Sequence, residues 1–111
     1  MSPGPQQPLT PLSLAILMAL AEEPLHGYAI MTAVEARGGP RLLAGAGSLY
    51  AALDRMVEAG LLGEEPDLED ARRRRRFSLT RRGRNAAQAE LRRMAELVAE
   101  GRAHRLLPEG T

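Results

Sequence analysis

The segment Pro11–Ala21, PLSLAILMALA, constrains the fold most, because its apolar residues point in every direction around a helix. Such a helix must be covered on most sides, and a chain of 111 residues has only one small core to cover it. We therefore predict one domain in which this helix is central. The segment is too short to span a bilayer, and no basic stretch precedes it as in a signal peptide. We expect a cytoplasmic protein that does not bind membranes.

Capping and turn residues predict four helices. Thr10 before Pro11 is typical of a helix start, Ser48 occupies an N-cap position, and Gly60 fits a left-handed C-cap. The first three predicted helices run from Pro11 to about Glu22, from about Gly27 to Arg37 and from Ser48 to Gly60. The fourth begins after its cap, Thr80, and reaches about Leu107. Between the last two, the stretches LLGEEP and RRRFSL are expected to pair as antiparallel strands.

Three helices, a hairpin and a long helix follow the order of a winged helix-turn-helix with an added dimerisation helix. The fold class is therefore mainly α with a small β-hairpin, or wing. We expect a flexible arm (1–8), a winged helix-turn-helix domain (9–80), a dimerisation helix (81–107) and a tail (108–111). Apolar residues of the last helix are spaced four, three and four apart, which is typical of packing along another helix. The predicted homodimer contacts are Leu12, Ile16, Leu91, Met94 and Val98.

Positive charge is concentrated in Asp70–Arg84, DARRRRRFSLTRRGR, which holds eight of the 15 basic residues although the net charge is only +1. Such a run by itself is typical of a disordered tail or a solvated face. On a hairpin strand, however, clustered arginine is suited to a nucleic-acid backbone. Alternation along the strand then predicts Phe77 and Leu79 on the core side, Arg74, Arg76 and Ser78 on the other, and Arg72, Arg73 and Arg75 toward the tip.

An acidic stretch, GEEPDLEDA, directly precedes the arginine run. Two interpretations stay open. The acids balance the charge of a short hairpin, which we favour, or they compete with phosphate for the arginines and sharpen discrimination against non-specific DNA.

Three motifs resemble the PadR-type transcriptional regulators over roughly Leu9–Ala103. They are EEPLHGYAI, GSLYAALDRMVEAGLL and RRRFSLTRRGR. The second is the most specific, and these of its residues fall in the family's register: Ser48, Leu49, Tyr50, Leu53, Arg55, Gly60 and Leu61. With a single C-terminal helix the chain resembles the short subclass. The resemblance implies a homodimeric DNA-binding repressor, often relieved by a small molecule.

The chain departs from the family pattern at two places. Arg76 stands where a second wing aromatic is usual, and Arg81 and Arg82 stand where an acid commonly follows the threonine. Cations in the first turn of a helix oppose its dipole at a cost of roughly 0.3 to 1 kcal/mol each. We therefore expect a phosphate partner for these two arginines.

The predicted contacts with double-stranded DNA lie on the third helix and the wing. They are Ser48, Tyr50, Ala51, Asp54, Arg55, Arg72, Arg73, Arg74, Arg75 and Arg76. Ser48 suits a helix cap as well as a phosphate contact, and Arg55 suits a salt bridge to a nearby acid as well as a base contact. For Tyr50 the resemblance implies a phosphate or base-edge contact.

Other candidate sites give weaker signals. We expect His26 to order a loop by a hydrogen bond and Tyr28 to lie in the core. Cysteine is absent and the two histidines are isolated, so we predict neither a metal site nor a cofactor. A small hydrophobic effector between the first and last helices, near Met18, Leu91 and Met94, rests on analogy alone.

We predict a sequence-specific DNA-binding transcriptional regulator, as a homodimeric repressor of a palindromic operator. An enzyme is disfavoured, because no nucleophile has a base beside it and no carboxylate pair lies in a predicted cleft. Two alternatives remain, namely a sequence-tolerant nucleic-acid-binding module and a winged-helix adaptor that binds an acidic protein. The operator, the target genes and the effector are not encoded in any recognisable motif.

Overall fold

The computed structural model describes residues 9–38, 46–72 and 74–108, and these form four helices and one three-stranded antiparallel sheet. In chain order the elements are α1 (Pro11–Ala19), β1 (Leu25–His26), α2 (Gly27–Gly38), α3 (Ala46–Glu58), β2 (Leu62–Pro66), β3 (Arg75–Leu79) and α4 (Arg81–Ala103). The predicted fold class, mainly α with a small β-hairpin, is confirmed. The predicted arm at 1–8, most of the tail and Arg73 lie outside the described residues.

Helix α1 lies at the centre of the core, as its apolar circumference predicts. Its residues Leu14 to Leu17 are buried, and it packs against α2, α3 and α4. Around it the fully buried side chains include Ile30, Val34, Leu49, Leu53 and Phe77. Ile16 was expected at the dimer contact, but its exposure is 0%. This correction follows from packing, because a side chain enclosed by its own domain offers no surface to a partner.

Helix α1 ends at Ala19, three residues before the predicted end near Glu22. The Leu20 N–H closes the last turn by donating to the carbonyls of Ile16 and Leu17, and a few residues later comes a strand that the sequence did not predict. Leu25–His26 pairs with β3, which requires extended backbone directly after Pro24. A two-residue strand is too short for a recognisable alternation, so it was missed.

Helix α3 begins at Ala46, so Ser48 is the third helical residue and not the N-cap. Its amide still belongs to the first turn, where N–H groups lack partners within the helix. The predicted end is confirmed, since Gly60 has a φ of 80°. The N–H of Gly60 donates to the carbonyl of Val57, and the N–H of Leu61 donates to that of Met56. These two bonds form a Schellman motif.

Hydrogen bonds and close packing fix the start of α4 to the turn between α3 and β2. The Thr80 hydroxyl accepts the Gly83 N–H at 3.0 Å, which confirms the predicted cap, and lies 2.7 Å from the Gly60 carbonyl, to which it donates. A Cβ at Gly83 would overlap the carbonyl oxygen of Leu61. Glycine is therefore required where α4 crosses this turn.

Helix α4 ends at Ala103, short of the predicted Leu107, because Arg105 turns into the left-handed region with a φ of 60°. The Leu106 N–H then donates to the Gly101 carbonyl at 2.8 Å, and the Arg105 N–H donates to that of Arg102. This is a second Schellman motif, with arginine at the position where glycine is usual.

Strand β3 is the middle strand of the sheet. Phe77 lies between Leu25 and Glu64, and Arg76 lies between His26 and Glu65. Phe77 is fully buried and Leu79 packs against the core, so the predicted core side of the strand is confirmed. Arg76 lies on the opposite face, which we name the outer face of the wing (Leu62–Leu79).

Candidate nucleic-acid interface

Arg75 joins helix α3 to the wing. Its guanidinium contacts Asp54 of α3 at 2.6 Å and Glu64 of β2 at 2.7 Å, and it lies 5.0 Å from the centre of the Phe77 ring. The hydrogen bond with Arg75 lowers the pKa of Glu64, and the same bond raises the pKa of Arg75. The helix and the wing therefore form one continuous surface with a fixed relative orientation.

Arg75 lies at the tip end of β3, opposite Pro66, as expected. The residue lies within β3 on the same face as Phe77, where it can reach α3. It and Asp54 were both expected to contact DNA, and the structure pairs their charges with each other. Neither charge is free in this conformation.

Two further arginines of β3 and its approach are paired with wing acids. Arg74 Nε contacts Asp70 Oδ2 at 2.6 Å, and Arg76 Nη2 contacts Glu65 Oε1 at 2.8 Å. The hydrogen bond from Arg74, together with the backbone N–H groups of Arg72 and Arg74, lowers the pKa of Asp70 to about 2. The acidic stretch and the arginine run are therefore in direct contact.

His26 orders the tip of the wing, as expected. Its Nε2 lies 3.0 Å from Asp67 Oδ2 and 3.9 Å from Asp70. The other Asp67 oxygen accepts the backbone N–H of Glu69 at 3.1 Å. The carboxylates of Asp67 and Asp70 thus hold the turn of residues 67–72 in place.

The exposed face of α3 carries Ala51 and Arg55, with Ser48 half-buried in its first turn. Within the described parts of the chain, Arg55 makes no ion pair, so the salt bridge considered from sequence does not form there. Arg72 on the wing is likewise exposed, and its side chain makes no ion pair or hydrogen bond with those residues. Of the predicted contacts that the structure describes, Arg55 and Arg72 are the arginines without an ion pair.

Tyr50 turns toward α2. A Cβ on Gly27 would overlap the Tyr50 ring and hydroxyl, so the tyrosine lies directly on the Gly27 backbone and only 38% of it is exposed. Sequence reasoning did not anticipate this contact, since the two residues are far apart in the chain. Gly27 is the residue whose role the sequence analysis missed.

Tyr28, expected in the core, is 68% exposed, and that expectation is wrong. Helix α2 buries Gly27, Ile30 and Val34, and Tyr28 lies about 200° around the helix from Ile30. The periodicity alone would have indicated this. The residue is a further exposed aromatic in the first turn of α2, adjacent to the Tyr50 contact.

The family model of the transcriptional regulator PadR-like family matches residues 16–89, which is more than half of the chain. The protein belongs to the PadR-like family. The matched region covers the helix-turn-helix, the wing and the start of α4. This confirms the resemblance that the three sequence motifs indicated.

The chain is also similar to one curated protein and to solved structures. An uncharacterised 37.1 kDa protein of transposon TN4556 from Streptomyces fradiae is 45% identical over 84 residues, which are 76% of this chain but only 23% of that protein. A PadR family regulator from Clostridium difficile R20291 superposes with a TM-score of 0.74 at 20% identity, over 86% of this chain and 98% of that one. The regulator BldR from Sulfolobus solfataricus gives 0.66 at 26% identity, over 83% and 60%.

Three arginines lie at the start of α4 in this PadR-like chain, near the base of the wing, and two of them depart from the family pattern. Arg84 Nη2 donates to the Ala21 carbonyl at 2.9 Å, which ties α4 to the end of α1. Arg81 and Arg82 are exposed, and neither has an ion pair or a hydrogen bond from its side chain to any described residue. The stem of Arg82 lies near Gly60.

The second half of α4 extends from the domain. Leu91, Leu97 and Val98 are 40%, 52% and 37% exposed, whereas Leu12 and Met94 are half-buried against the core. An open apolar recess of about 420 Å³ lies beside this helix and is lined by Pro11, Leu14, Ala15, Met18, Arg37 and Met94. Two of the three residues named for an effector, Met18 and Met94, line it.

Two kinds of feature are absent from the residues that the structure describes. These residues contain no helix that is long and apolar enough to cross a membrane. Their His, Asp and Glu side chains form no group of three or more arranged to hold a metal ion.

Proposed function

We propose that this PadR-like protein is a homodimeric, sequence-specific double-stranded DNA-binding regulator that represses transcription from a palindromic operator. One observation carries the proposal. The exposed face of α3 and the wing are joined through Arg75 into one surface, as a protein needs in order to read a groove and follow the adjoining backbone at the same time.

Direct readout is assigned to α3. Ala51 and Arg55 are exposed there and can approach base edges in the major groove. Ser48, in the first turn, has a backbone N–H suited to a phosphate oxygen. Arg72, Arg74 and Arg76 supply the phosphate contacts of the wing, together with Arg73, which the structure does not describe.

Dimerisation is assigned to α4. The exposed Leu91 and Val98 follow each other at a spacing of seven residues, and with Leu97 they leave an apolar stripe beside the recess. Burying this stripe against the same stripe of a second copy supports an interface with two-fold symmetry. Leu12 and Met94, half-buried at its edge, are proposed to complete the contact.

Two-fold symmetry sets the geometry of the operator. Half-sites about 34 Å apart, or one turn of DNA, place both copies of α3 in the major groove on one side of the duplex. Repression is proposed because a bound dimer of this size blocks access to a promoter without any further domain. A small hydrophobic effector would bind in the recess between α1 and α4 and shift the spacing of the two recognition helices.

The decisive experiment selects bound sequences from a random duplex pool at about 150 mM salt, where non-specific phosphate binding is already weakened. A recovered palindrome with half-sites one turn apart supports the proposal. Uniform recovery from a folded protein favours the sequence-tolerant module. Loss of all DNA binding at this salt favours the protein adaptor.

The dimer is tested by sedimentation at micromolar concentration. The wild type should sediment as a dimer, and the double variant Leu91→Glu, Val98→Glu should sediment as a folded monomer, since it places four charges in the interface. Leu68→Glu is the matched control, because Leu68 is equally apolar and 73% exposed but lies on the wing. A monomeric wild type would refute the assignment of α4.

A further inference from the structure

The wing is electrically neutral. Between Leu62 and Leu79 the sequence holds five acids and five arginines. Every wing arginine of β3 and its approach that the structure describes from residue 74 onward is paired with an acid. The arginine run is therefore not a row of free cations waiting for phosphate.

Two of these pairs are open to solvent on the arginine side. Arg76 and Glu65 face each other across β2 and β3 on the outer face, and their side chains are 38% and 64% exposed. Arg74 is 47% exposed, while its partner Asp70 is only 12% exposed. The arginine of each pair is accessible, and an anion from solution can approach it from outside.

The third pair is different in kind. Arg75 is held by two acids and by the Phe77 ring, and one of those acids belongs to α3. Releasing it would detach the wing from the recognition helix. Competition with phosphate is therefore confined to Arg74 and Arg76.

We infer that Glu65 and Asp70 set the DNA affinity of the wing by occupying Arg76 and Arg74, so that each arginine must exchange a carboxylate for a phosphate on binding. The inference rests on the proposed function. It deepens that function by naming acidic residues that weaken non-specific binding.

The exchange has a measurable consequence. A free arginine that neutralises a phosphate releases a condensed cation, which contributes about −0.9 to the slope of log K against log salt on duplex DNA. An arginine that leaves a carboxylate exposes a new negative charge, and this charge attracts cations again. Paired arginines therefore contribute less to the salt dependence than free ones.

Glu65→Gln is the sharpest variant, because its side chain is mostly exposed and Arg76 is the one ion-pair partner that the structure gives it. Asp70 is less suitable, since it also accepts the backbone N–H groups of Arg72 and Arg74. Glu69→Gln is the matched control. It removes the same charge from the same hairpin, but the Glu69 side chain makes no ion pair with any described residue.

The measurement is the affinity of the full-length chain for a random-sequence duplex between about 50 and 300 mM salt. Glu65→Gln should steepen the slope by up to about 0.9, which corresponds to up to about five-fold tighter binding at about 150 mM. Glu69→Gln should change the slope by much less than this, because its effect is a screened charge acting over several ångströms. Equal slopes for the two variants would overturn the inference.

A second comparison tests whether Arg76 carries the effect. In an Arg76→Gln background, Glu65→Gln should act no more strongly than Glu69→Gln does. A full effect in that background would also overturn the inference. If the wild type and all variants bind no duplex even at low salt, the proposed function fails as well, whereas equal slopes with normal binding remove this inference alone.

Discussion

Two groups of arginines, only a few residues apart in the sequence, have opposite surroundings in the structure. Arg74, Arg75 and Arg76 are each paired with an acid. Arg81 and Arg82 at the start of α4 have no such partner among the described residues, and the first turn of that helix contains no acid. A run of like residues is therefore not one functional unit, and an arginine whose charge the fold has already paired can bind phosphate only by giving up its carboxylate partner.

The difference follows from local geometry. On β3 each arginine meets a neighbouring strand or turn that comes from the acidic stretch. At the start of α4 the neighbouring groups are backbone N–H groups, which carry the positive end of the helix dipole. Pairing with acids stabilises Arg74, Arg75 and Arg76 in the folded state. Arg81 and Arg82 instead keep an unfavourable interaction with the helix dipole, which a bound anion would relieve.

The largest effect is expected from disrupting the contact between α4 and the turn before β2, because this contact positions Arg81 and Arg82. Gly83→Ala should lower the free energy of unfolding by about 3 kcal/mol, because the new methyl group overlaps the Leu61 carbonyl and crowds Leu79. Chemical denaturation measures this. Gly47→Ala is the control, since a Cβ there meets nothing within 4 Å, and alanine in a helix should be neutral or stabilising by up to about 1 kcal/mol. Equal stabilities for the two variants would contradict the described packing.

The next effect concerns the tie between α3 and the wing. Arg75→Gln removes two ion pairs at a partly exposed site, each worth up to about 1 kcal/mol after solvent screening, so we expect a loss of up to about 2 kcal/mol. Denaturant unfolding measures it, with Arg72→Gln as control, because the side chain of Arg72 makes no ion pair among the described residues. A loss in Arg72→Gln as large as in Arg75→Gln would show that total charge, and not pairing, sets stability.

Much of the fold was predictable because its signals are local. Thr80 and Gly60 mark helix ends by their own side-chain and backbone chemistry, and alternation placed Phe77 inside. The strand Leu25–His26 was not predictable, because two residues carry no period. Its existence depends on a partner strand about fifty positions later in the chain.

The interface was predictable as a region but not as a set of free charges. The partner of Arg76 depends on the strand register, which places Glu65 opposite it. The partner of Arg75 lies on another element, 21 positions earlier. Likewise, Tyr50 was predicted to contact DNA, and only the tertiary structure brings it onto Gly27. Residue types give the chemistry of this surface, and packing decides which groups remain available.

Reversing the charges at positions 81 and 82 should affect stability and DNA binding in opposite directions. Arg81→Glu, Arg82→Glu replaces unfavourable charges in the first turn of α4 with favourable ones, which should raise the free energy of unfolding by about 1 kcal/mol in total. The same variant should bind duplex DNA more weakly, since we expect phosphate to be the missing partner. Unfolding and binding are measured on one preparation. Unchanged DNA binding would leave these arginines without a role in it.

The smallest effect is a difference between the paired and the unpaired arginines in how they influence the pH dependence of stability. The pKa of Asp70 is about 2, below its ordinary value of 3.8, so its pairing stabilises the fold fully above about pH 4 and is lost as the pH falls through 2. Stability measured from pH 6 to 2 should therefore fall less steeply in Asp70→Asn than in the wild type. Arg74→Gln should flatten the same region, because Arg74 is the largest cause of the lowered pKa. Arg81→Gln should not, because no carboxylate in the described part of the chain is paired with Arg81, and a flattening there would contradict the division into paired and unpaired arginines.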